Sequence, residues 1–132
     1  MTFGGRAVAT KYRGHNDSVY ESKFITADNA TLTFDPDTKD ERLVMAFDNY
    51  YTVTINRNGD DYVMYFDGDV GDDKKYMLYT KEVHFKQGDA NNSVHADMNY
   101  YGEDANPTEV VGTFGYEEFD AGFNGAFGAT RK

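Results

Sequence analysis

The chain has 132 residues, 13 Lys+Arg against 23 Asp+Glu, a net charge of −10 at pH 7 and no cysteine. That length makes one domain, residues 1–132, long enough to bury a core. The charge argues against a nucleic-acid binder, which needs a basic face to displace counterions, and against docking on anionic lipid; the lack of cysteine removes disulfides, thiolate metal sites and a thiol nucleophile. No apolar run approaches the ~20 residues of a membrane span. No signal peptide follows Met1, which leaves a cytosolic protein or a mature form whose targeting segment has been removed.

Aromatic residues make up 16% of the chain, which is too rich for an acidic disordered segment and suits half-buried pleated surfaces. The predicted elements alternate at period 2. An early strand lies within Phe3–Tyr12. Leu32 and Phe34 alternate with Thr31, Thr33 and Asp35, and Asp35-Pro36-Asp37-Thr38-Lys39-Asp40 is turn chemistry. Leu43, Met45 and Phe47 follow. Tyr51, Val53 and Ile55 share a face, Asn58-Gly59-Asp60 turns the chain, and Tyr62, Met64 and Phe66 resume the alternation, a hairpin signal.

Met77, Tyr79, Val83 and Phe85 share the next face. Val94, Ala96, Met98 and Tyr100 follow a turn centred on Asp89-Ala90. A short helical turn is predicted near Asp104–Glu109, with Pro107 in its first turn. Val110, Gly112 and Phe114 precede a turn at Glu118–Ala121, and the last strand aligns Phe123, Gly125, Phe127 and Ala129. About eight strands on short turns, one face wet, predict an all-β fold: a single eight-stranded antiparallel β-barrel, closed so that no edge is exposed. Gly122, Gly125 and Gly128 read as bends at barrel corners.

The C-terminal third carries Tyr100-Tyr101-Gly102-Glu103-Asp104-Ala105, then Glu109-Val110-Val111-Gly112-Thr113-Phe114, then Gly122-Phe123-Asn124-Gly125-Ala126-Phe127-Gly128-Ala129-Thr130-Arg131. This resembles the C-terminal barrel of transferrin-binding protein B and its relatives. Those barrels read Phe-Tyr-Gly-Pro-x-Ala-x-Glu-x-Gly-Gly-x-Phe and finish near Gly-x-Phe-Gly-Ala-Lys-Arg. Phe3-Gly4-Gly5-Arg6-Ala7 is similar to the family's first barrel strand. Here Glu103 stands at the family's Pro, Val111 replaces the first Gly of the Gly-Gly pair, and two extra residues separate Ala105 from Glu109. The resemblance implies a bacterial protein of the cell surface (the outer membrane) or a secreted one, with the periplasm as the alternative. It implies a host serum or iron-carrier protein as partner, or iron acquisition through haem, and a lipid anchor on a segment upstream of this chain.

Four residues form the sharpest candidate site. If the turn centres on Asp89-Ala90, His84 faces His95 and Glu82 faces Asp97, with Cβ atoms about 4.5–5.5 Å apart on the face opposite the apolar residues. Two imidazoles and a carboxylate suit zinc, and histidine is the common axial ligand of haem. The plainer reading is two solvated histidines on an outer wall. Tyrosines offer apolar area with a polar tip, and Tyr76 and Tyr101 are the candidate partner-binding residues. In each Tyr-Tyr pair one ring points in and the other out.

Acidic turns at Asp35–Glu41 and Asp67–Asp73 have oxygens that calcium favours, but neither has the EF-hand glycine and glutamate, so solvated turns are expected. No catalytic residues are assigned. His15, His84 and His95 lack a Gly-framed Ser, and no phosphate loop or dinucleotide fingerprint is present. The expectation is a non-enzymatic binding protein that needs no cofactor. The alternatives are a haem or divalent-metal scavenger and a structural barrel domain of a larger surface lipoprotein.

Overall fold

The computed structural model describes residues 1–15, 18–47, 51–68, 81–86, 88, 93–118 and 121–132. They form nine strands and no helix: β1 (Thr2–His15), β2 (Ser18–Phe34), β3 (Glu41–Phe47), β4 (Tyr51–Asn58), β5 (Asp61–Gly68), β6 (Glu82–Lys86), β7 (Val94–Glu103), β8 (Asn106–Glu117) and β9 (Ala121–Arg131). The all-β expectation holds, but the closed eight-stranded barrel does not. One nine-stranded sheet in the order β6-β5-β4-β3-β2-β1-β9-β8-β7 curls into a half-barrel. Every neighbouring pair is antiparallel. Direction therefore alternates along the row, and the first and ninth strands point the same way. β6 and β7 cannot be antiparallel partners, whereas closing an all-antiparallel sheet takes an even number of strands. Among the described residues no helix is long and apolar enough to cross a membrane.

Period 2 sets the interior. Leu43, Met45 and Phe47 on β3, Tyr51, Val53 and Ile55 on β4, and Tyr62, Met64 and Phe66 on β5 are each at most 4% exposed. Phe114, Phe123 and Phe127 fill the facing wall. Burying side chains of this size contributes roughly 1.5–3 kcal/mol each. Phe123 is central, with ring centroids 5.4 Å from Phe114, 5.5 Å from Phe66 and 5.8 Å from Phe47. β1 and β9 pair from Phe3↔Arg131 to Arg13↔Ala121, which sets the first and last strands side by side.

Glycines predicted as bends do a different job at two positions. A Cβ at Gly125 would stand 2.6 Å from the Phe114 ring, and one at Gly122 would stand 2.0 Å from the Tyr12 ring. Rings from neighbouring strands lie on bare backbone there. Tyr12 is thereby 9% exposed although it points outward, and its hydroxyl donates to Glu117 Oε2 at 2.6 Å. Burial, then the Glu117 hydrogen bond and charge, push that hydroxyl up to about 12.

The predicted turn at Asn58–Asp60 is a two-residue hairpin, Asn58↔Asp61, with Gly59 at φ +61°, the position where a type II′ turn takes glycine. The helical turn predicted near Asp104–Glu109 is instead the β7–β8 hairpin. Gly102 pairs Pro107 beside a bulge, where a residue without an N–H costs no ladder bond. A second bulge sets Asp28 and Asn29 against Arg6 alone, and so keeps both Ala27 and Ala30 facing the core.

Candidate functional site

β6 turns Phe85 inward, so Glu82, His84 and Lys86 face out; β7 turns Val94 and Ala96 inward, so His95, Asp97, Asn99 and Tyr101 face out. The faces match the sequence reading, but the pairing does not. His84 lies opposite Val63 on β5, and His95 lies opposite Gly115 on β8. The expected His84–His95 and Glu82–Asp97 cross-strand pairs are therefore replaced by two pairs within single strands, because β6 and β7 run in the same direction at opposite ends of the sheet order. His84 Nε2 lies 2.6 Å from Glu82 Oε1, and His95 Nδ1 lies 3.4 Å from Asp97 Oδ2. Among the described residues no three His, Asp or Glu side chains gather as a metal-holding group. On edge strands such charges also blunt pairing with another sheet.

Tyr101 is outward and 54% exposed, while Tyr100 beside it points in and packs on the core. Tyr51 is buried; Tyr50 and the second candidate partner-binding residue, Tyr76, lie outside the described residues, as do the predicted turn at Asp89-Ala90 and Asp69, Asp72 and Asp73 of the second acidic loop. In the first acidic turn the carboxylates accept backbone N–H bonds. Asp35 Oδ1 accepts from Asp37 N at 2.8 Å, and Asp40 Oδ1 accepts from Gly59 N at 3.1 Å, tying two turns together.

A polar cluster that no sequence motif marks lies inside the same end of the sheet. Glu41 opens β3 in the phase of Leu43 and Met45, so it points inward and is 7% exposed. Tyr100 Oη donates to Glu41 Oε2, and the Arg57 guanidinium stands 3.9 Å from Glu41 Oε1. Arg57 Nε donates to Gly59 O at 2.8 Å, and its guanidinium lies 5.5 Å from the Tyr62 ring centroid. The Tyr100 ring stacks on Phe34 at 4.0 Å. Burial pushes the Glu41 carboxyl above its usual range, against the pull of the Tyr100 hydrogen bond and the Arg57 charge; burial and the Glu41 charge push the Tyr100 hydroxyl up. The cluster ties edge strand β7 to β3 and β4 across the interior. Its signal in the sequence was a carboxylate and a guanidinium in the inward phase of apolar strands. An open cleft of about 620 Å³ passes this end, with Glu41, Arg57, Arg42 and Tyr65 among its walls.

At the opposite end Lys11 is inward and 3% exposed, its Nζ 3.8 Å from the Tyr51 ring centroid. That contact is a buried cation–π pair.

No protein-family model matches the chain, and a search of curated proteins returns no match.

Proposed function

We propose that this chain is a non-enzymatic binding module of the bacterial surface, or of a secreted protein, that engages a host serum or iron-carrier protein. The observation that carries the reading is Tyr101, whose large ring is held outward on an edge strand while its neighbour Tyr100 is anchored inside. Aromatic rings presented this way are the side chains that dominate protein interfaces. A core filled with interlocking rings supports a contact surface on the wall rather than in a lumen. The resemblance to transferrin-binding protein B barrels supplies the class of partner.

The test is surface plasmon resonance of the immobilised chain against host transferrin and complement factor H, beside pull-down from host serum and titrations with haem and with zinc. Saturable binding of a host protein, weakened by Tyr101→Ala at an unchanged melting temperature, is the expected result. Saturable haem or zinc binding without a protein partner would favour the scavenger reading. No binding in any arm would leave the structural domain of a larger lipoprotein.

A further inference from the structure

The outer face of the β7–β8 hairpin carries two exposed apolar side chains beside exposed carboxylates. Tyr101 is directly opposite Glu109, and Val111 is two residues beyond Glu109, so Tyr101 and Val111 are diagonal neighbours. Such positions lie about 7–8 Å apart, within reach of one inserted side chain. They are 54% and 50% exposed. Glu109 stands directly opposite Tyr101, and Glu103 and Asp104 follow Tyr101 at the hairpin end; all three are exposed and form no ion pair among the described residues. Arg131 braces the hairpin by donating to Asn106 Oδ1 and, at 3.5 Å, to Pro107 O. The platform is therefore set before any partner arrives.

We propose that this face docks a basic protein segment: Tyr101 and Val111 receive an apolar or aromatic side chain, and Glu103, Asp104 and Glu109 pair with flanking lysines or arginines. The charge decides the occupant. Covering the two apolar side chains with a neutral surface would desolvate three carboxylates without partners, which costs free energy, and an acidic surface would add repulsion. The net charge of −10 adds long-range attraction for cations. This inference rests on the binding-module reading and names the chemistry of its partner.

The probe is a lysine-rich decapeptide with one central tryptophan; its glutamate-substituted twin is the control. Binding is followed by tryptophan fluorescence and by amide shifts of the labelled protein. Saturable binding of the lysine peptide alone is expected, weakening with salt and shifting the amides of Tyr101, Glu103, Glu109 and Val111. Tyr101→Ser and the double variant Glu103→Gln/Glu109→Gln should each weaken it about tenfold or more at unchanged melting temperature. Shifts spread evenly over the Asp35–Asp40 and Asp60–Asp61 turns, or variants that bind like the parent, would overturn the proposal. So would host-protein capture that survives the double variant, although the binding-module reading would then stand. Peptide docking at the hairpin without any host-protein capture would keep the surface and remove that reading.

Discussion

Single side chains in this protein carry opposite kinds of stability. Phe127 is 2% exposed in the wall that faces β3–β5. Phe127→Ala should cost about 3–5 kcal/mol in urea unfolding, and a loss below about 1 kcal/mol would mean that β9 does not face the core in solution. Glu41 is the contrary case. Burial raises its pKa above the usual 4.5, so the protonated carboxyl is the form the fold prefers. Its contribution is full below that usual value and is lost as pH rises through the raised one. Glu41→Gln keeps an acceptor for Tyr100 and removes the charge. The variant should therefore lose less stability than the parent between acid and neutral pH, measured as the urea midpoint across that window. Equal losses would refute the assignment. Glu41→Leu leaves the Tyr100 hydroxyl without its acceptor and should cost about 1–3 kcal/mol.

Strand packing turns on what stands next to each backbone. A Cβ at Gly5 would lie 2.0 Å from the backbone oxygen of Gly128, whereas a Cβ at Gly128 would meet nothing within 4 Å. Gly5→Ala should therefore cost about 1–3 kcal/mol, and Gly128→Ala should leave stability unchanged or raise it by up to about 1 kcal/mol. Thermal melts of the two variants decide it; similar losses in both would refute the close approach of β1 to β9 at Gly5. The histidines test the edge strands. With His84 beside Glu82 and His95 beside Asp97, His84→Ala and His95→Ala should each remove any zinc binding only at its own pair, and the double variant at both. If each single substitution abolished all binding, the two strands would share one site.

At the scale of the sheet, the parity of the described strands governs the architecture. Among the described residues nine antiparallel strands leave β6 and β7 as edges that point the same way. Among the described residues β7 has a ladder only on its β8 side. Hydrogen exchange along Val94–Glu103 should accordingly alternate, with every second amide unprotected. Uniform protection would place a further strand against that edge. Across the interior the Glu41–Tyr100 bond and the Phe34–Tyr100 stack hold β7 to the opposite wall where no ladder does so.

Which face each residue takes was legible in the sequence, because the pleat sends successive side chains to opposite sides whatever the neighbouring strand is. That local rule located the aromatic core, put Tyr101 outside and Tyr100 inside, and set both histidines on the outer wall. It lost phase in β2, where the bulge at Asp28–Asn29 breaks the alternation between Ala27 and Ala30. Only the tertiary structure decided which strands are neighbours. A ladder joins residues distant in the chain, and its choice depends on the whole sheet's pairing rather than on any one segment. The sequence suggested that β6 and β7 fold back on each other because they are consecutive. The sheet instead sends them to opposite ends, parting His84 from His95 and joining Glu41 to Tyr100, 59 positions apart.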